Sequence, residues 1–157
     1  MKSRARHAFS LIEVTLALGV AATSLLVIFS LLPIGLQTNQ RSIEQTVAAD
    51  ILSAVVADLR ATAPTNPPGI GTTSTQFRIN IPAIGSTGTT TLFFNGAGQY
   101  ATFPQTDSRY RVTIRFVSNG GGARTATFAD LQVTWPAKAA SATAQGMAEM
   151  FAAFDRN

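Results

Sequence analysis

The chain changes its hydrophobic rhythm as it runs. Residues 14–40 carry no charged side chain, and 14–36 form a predominantly apolar run of 23 residues. As a helix this run spans about 35 Å at 1.5 Å per residue, enough for a hydrocarbon core of about 30 Å. Pro33 and Gly35 interrupt it near its far end, where proline removes a helical hydrogen bond and crowds the preceding turn. Beyond it the period becomes four. Ile43, Val47, Ile51, Val55 and Leu59 recur, and Ala48, Leu52 and Val56 widen the stripe. This predicts an amphipathic helix with Glu44, Gln45, Asp50, Asp58 and Arg60 on the opposite face. The helix is expected to stop before Pro64, with Pro67-Pro68-Gly69 marking a linker. From Phe9 to Arg60 the whole helix, broken at Pro33 and Gly35, would measure about 78 Å.

From residue 76 the period falls to two. Strands are predicted over 76–83, 91–94, 99–103, 110–117 and 124–135. Asn95-Gly96-Ala97-Gly98 and Asn119-Gly120-Gly121-Gly122 read as hairpin turns. The expected core is Phe77, Ile79, Ile81, Phe93, Val112, Ile114, Phe116, Leu131, Val133 and Trp135. Residues 147–154 are ambiguous. Met147, Met150, Phe151 and Phe154 fit helical spacing, yet a sheet ending at Trp135-Pro136 commonly gains one more strand. The fold class is therefore α+β: a long N-terminal helix, half membrane-spanning and half amphipathic, on a small antiparallel sheet.

Charge sharpens the picture. Charged residues make up only 13% of the chain, against about a quarter in ordinary soluble domains. Lys2, Arg4 and Arg6 precede the apolar run, which predicts a cytoplasmic N-terminus and a domain on the far side of the membrane. Without those three, nine basic residues face eight acidic ones. A nucleic-acid footprint would need a basic patch in the folded domain. The nearest candidate, Arg109, Arg111 and Arg115 beside Tyr110, reads as a solvated strand face, so no nucleic-acid partner is expected.

Candidate chemistry is sparse. The chain has no cysteine, and its one histidine, His7, lies in the basic N-terminal segment. Asp107, Asp130, Glu149 and Asp155 lack the spacing of a calcium loop. Gly120-Gly121-Gly122 lacks the lysine of a phosphate loop. No catalysis, cofactor or metal is expected. The residue that stands out is Glu13, a carboxylate among Phe9, Leu11, Ile12 and Val14. Near a membrane centre it would cost about 2.5–3.5 kcal/mol, and less at the edge. It either snorkels to the interface or meets a partner.

Ala8-Phe9-Ser10-Leu11-Ile12-Glu13-Val14 resembles the signal of type IV prepilins and pseudopilins. There a short basic leader ends in a small residue, usually Gly. Cleavage precedes an aromatic residue, and Glu is the fifth mature residue. Ala8 stands here in place of Gly. Residues 10–58 and 135–157 further resemble the prepilin-like family called Verru_Chthon cassette protein B, through Asn39-Gln40, Ile43-Glu44-Gln45 and the ending Ala153-Phe154-Asp155-Arg156-Asn157.

The resemblance implies a lollipop-shaped structural subunit. It divides the chain into a leader cleaved between Ala8 and Phe9 (1–8), a filament-core helix (9–36), its amphipathic continuation (37–62), a linker (63–75) and a periplasmic β-rich domain (76–157). The Phe9 amine, open to methylation, would pair with Glu13 of a neighbouring subunit, and Pro33 and Gly35 would mark a helix break that melts on assembly or merely kinks. It favours a strand over 147–154. Implied partners are a prepilin peptidase/methyltransferase, other pilin-like subunits, an inner-membrane assembly platform and membrane lipid, in a type IV pilus or type II secretion-like filament. The rival is an uncleaved signal anchor displaying a periplasmic protein- or glycan-binding module.

Overall fold

The structure, a computed structural model, describes residues 10–65, 69–118 and 126–155. Among the described residues, one α-helix, α1 (Leu11–Ala61), is followed by seven strands: β1 (Thr72–Thr73), β2 (Asn80–Ile81), β3 (Gly88–Asn95), β4 (Tyr100–Ala101), β5 (Ser108–Val117), β6 (Thr127–Trp135) and β7 (Gly146–Phe154), with a short 3-10 turn at Ser141–Thr143 between the last two. The chain divides into two compact units, Met1–Ser42 and Ile43–Asn157. The first unit holds the apolar part of α1, whose described residues are all exposed.

In the second unit, β3 to β7 form an antiparallel sheet in the order β4-β3-β5-β6-β7, and β1 pairs with β2 in a separate ribbon. Each long strand alternates. Leu92 and Phe94, then Tyr110, Val112, Ile114 and Phe116, then Ala129, Leu131 and Val133, then Ala152 and Phe154 are buried on one face. Ala48, Ile51, Leu52, Val55, Val56 and Leu59 of α1 belong to the same core, joined by Phe77, Ile79 and Ile81. The helix stripe and the sheet face are thus each other's solvent shield.

The ends of the elements have local causes. Asn95 turns β3 into β4 by accepting the amides of Ala97 (3.0 Å) and Gln99 (2.9 Å) on its Oδ1. Gly98 completes the turn at φ +75°, a value that only glycine adopts without strain. Trp135 ends β6, its ring edge-on to Tyr110 at 5.9 Å. The backbone of Gly146 lies against that ring, so that a Cβ there would come within 2.2 Å of it.

Several expectations are corrected. α1 runs through Pro33 and Gly35, so neither residue ends the helix. A helix loses only the bond to the Phe29 carbonyl at such a proline, and the turns on either side hold it. Ile43, expected on the buried stripe, is 56% exposed. Asp58, expected on the polar face, is buried. The strand expected over 76–83 shrinks to Asn80–Ile81, because the backbone before it serves Asp58 instead. The linker expected over 63–75 contains β1. The strand expected over 99–103 is only Tyr100–Ala101, and the one over 124–135 begins at Thr127 among the described residues. Phe93 sits on the outer face opposite Arg111, while Leu92 and Phe94 turn inward. Residues 147–154 are strand, within β7, as the resemblance favours. The turn at Asn119-Gly120-Gly121-Gly122 and the prolines Pro67 and Pro68 lie outside the described residues.

Asp58 explains its own burial. Its Oδ1 accepts the Gln76 amide at 3.0 Å and its Oδ2 the Phe77 amide at 3.0 Å, with the Thr75 hydroxyl at 3.4 Å. Ser74 tightens the same loop by accepting the Ile79 amide on Oγ (3.0 Å), and Arg78 takes a left-handed φ of 54° within it. Removing the carboxylate strands two amides. Asp58→Ala is expected to cost about 2–4 kcal/mol, and Asp58→Asn less, since its amide oxygen still accepts. Urea unfolding followed by fluorescence of the lone tryptophan, Trp135, measures both.

The same assay tests Gly146. Gly146→Ala should destabilise by about 1–3 kcal/mol through overpacking against Trp135. Gly96→Ala, with open space around the new methyl, should stay within about 0.5 kcal/mol.

Candidate functional site

Two regions hold the polar side chains that the apolar surroundings make expensive. The first is the apolar part of α1. Four hydroxyls fall within residues 14–36, and each is satisfied by its own helix. Thr15 donates to the Ile12 carbonyl (2.9 Å), Thr23 to Val20 (2.9 Å), Ser24 to Val20 (2.8 Å) and Ser30 to Val27 (2.7 Å). Such back-bonding removes the cost of a hydroxyl in a lipid-like medium. By length and composition α1 can cross a membrane.

Glu13 is the exception. It lies in the first described turn of α1, where Glu13 and Val14 donate their amides to the Ser10 carbonyl at 3.0 and 3.2 Å. No hydrogen bond or ion pair reaches its carboxylate among the described residues. The helix dipole favours a carboxylate there by about 0.3–1 kcal/mol. That is smaller than the 2.5–3.5 kcal/mol of membrane burial, so the dipole alone does not hold Glu13 in lipid. Val14, Ala17, Leu18 and Ala21 line a shallow groove with it. The small side chains one and two turns on let another helix approach the carboxylate closely.

The second region is where α1 meets the sheet. Glu44, half-buried, forms an ion pair with Arg109 of β5. Buried Tyr110 lies beside them. Burial pushes its phenol above the ordinary 10, Glu44 pushes the same way and Arg109 opposes. Because Glu44 engages Arg109, the expected basic face loses one member. Of the other two, Arg115 pairs in register with Asp130 across the ladder and Arg111 with Thr134. A groove of about 430 Å³ opens between α1 and the β3–β4 hairpin, lined by Asp50, Gln76, Gln99 and Tyr100 around an aromatic cluster of Phe77, Phe94 and Tyr100. Among the described residues no three metal-ligating side chains gather.

Of the residues singled out from the sequence, Glu13, Pro33 and Gly35 lie on α1, all exposed. Ala8 and Phe9, the expected cleavage pair, lie outside the described residues, as does His7. Sequence reasoning missed the roles of Glu44 and Asp58. Their signal was spacing: each lies seven residues from Ile51, which on a helix turning 100° per residue is within about 20° of it.

The order of elements, a long N-terminal apolar helix followed by an antiparallel sheet, is consistent with a pilin-like architecture. No protein-family model matches the chain, and no curated protein or solved structure matches it either.

Proposed function

We propose that this chain is a minor pilin- or pseudopilin-like structural subunit. It is made as an inner-membrane precursor with its N-terminus in the cytoplasm and its β-rich domain in the periplasm. A prepilin peptidase cuts between Ala8 and Phe9 and methylates the new amine. The subunit then joins, or primes, a type IV pilus or type II secretion-like filament. Its partners are the peptidase, other pilin-like subunits, the assembly platform and membrane lipid.

The observation that carries this reading is the isolation of Glu13. Every hydroxyl of the apolar segment is satisfied within its own helix, and this carboxylate is not. A positive amine on the Phe9 of a neighbour supplies what the chain's own described residues do not. In a filament core that pairing offsets the desolvation of both charges and fixes axial register, since an unpaired buried charge is penalised. An uncleaved signal anchor would use the same apolar helix but leave Glu13 without a role.

The test compares Glu13→Ala and Glu13→Gln with the unaltered protein in the producing cell. Leader removal should continue in both. Incorporation into high-mass assemblies should fall roughly tenfold or more, because breaking a buried ion pair costs about 3–5 kcal/mol. Undiminished incorporation of both variants would refute the pairing.

A further inference from the structure

The two edges of the large sheet are treated differently. At one edge β4 pairs with Phe93 and Phe94 of β3, whose ladder with β5 shifts register between Phe94 and Asn95. At its other end Pro82 lies against Gly88, within 3.4 Å of where a side chain would begin. The opposite edge is β7. Its nine residues pair with β6 without a register shift, and no strand among the described residues pairs with its outer side. It contains no lysine, arginine or proline, the residues that ordinarily guard an edge. Its one charge, Glu149, is drawn back over the sheet by Gln132, whose Nε2 donates to Oε1 at 2.6 Å. Phe151, stacked on Phe128 at 5.7 Å, stays 64% exposed.

We infer that β7 is the seam of a symmetric pair, joining edge to edge with β7 of a second copy of this chain in antiparallel register. The sequence of β7 favours its own copy as the occupant. Full overlap of residues 146–154 with themselves is centred on Met150. In that register Glu149 faces Phe151 of the other copy, so the like charges are offset and each carboxylate lies beside an apolar ring. A shift that centred the pair on Glu149 would set two carboxylates opposite each other, which strand pairs disfavour. The contact is isologous and closes on itself, making one ten-stranded sheet from two five-stranded ones. It rests on the domain alone and requires neither leader cleavage nor filament assembly.

The absence of native cysteine makes the experiment direct, since any disulfide in a single-cysteine variant must join two molecules. The full chain carrying Met150→Cys is oxidised mildly in membranes and run on a non-reducing gel. The pairing predicts a band at twice the monomer mass, absent for Thr89→Cys on β3. In the Met150→Cys background, Phe151→Glu should lose the band, because Glu149 of the other copy would then face a like charge. Phe151→Lys should keep it, and Glu149→Lys combined with Phe151→Glu should restore it. Trp135 fluorescence confirms that each variant folds. Absence of the Met150→Cys dimer, equal cross-linking from Thr89→Cys, identical behaviour of Phe151→Glu and Phe151→Lys, or a cross-link to a different protein would each overturn self-pairing.

Discussion

Glu44 and Asp58 lie seven residues on either side of Ile51, and a helix that buries Ile51 turns both carboxylates toward the sheet. Two polar anchors of the second unit answer this constraint. A buried carboxylate left alone costs several kcal/mol, so each must find donors. Glu44 finds the guanidinium of Arg109 at the start of β5. Asp58 finds the amides of Gln76 and Phe77. The apolar stripe between them supplies the bulk of the stabilisation but is non-directional. The two polar anchors fix where along its axis the helix sits, and the second also dictates the loop that carries Phe77 and Ile79 into the core.

The apolar part of α1 obeys the same rule with a different outcome. Its hydroxyls turn back onto their own carbonyls, which makes the segment self-sufficient in a medium without water. Glu13 has no such recourse, because a carboxylate can only accept and the carbonyls of the preceding turn offer no proton. The same helix therefore holds two carboxylates with partners in the fold, Glu44 and Asp58, and one in its apolar segment, Glu13, with none among the described residues.

Much of this was legible in the residues. The apolar helix, the stripe from Val47 to Leu59, the strands around 91–94, 110–117 and 127–135 and the Asn-Gly turn at residue 95 each follow from local patterning. What escaped has a common physical origin. Asp58 was assigned to the polar face by residue type, although its angular position puts it beside Ile51. The apolar run over residues 92–94 hides its own parity, and only the register with Val112 and Tyr110 turns Leu92 and Phe94 inward and Phe93 outward. The strand expected over 76–83 was real in its alternation, since Phe77, Ile79 and Ile81 are buried, but its amides had a stronger competitor in a distant carboxylate. Gly146 carries no signal in a single sequence, for its need comes from a tryptophan on the neighbouring strand.

A positive amine exists to meet Glu13 only if the cell makes Phe9 the first residue of the mature protein. Intact-mass and N-terminal peptide analysis of the protein from native membranes decides this. The pairing requires a terminus at Phe9, with or without one methyl group. A mature protein that retains the leader through Ala8 would contradict it.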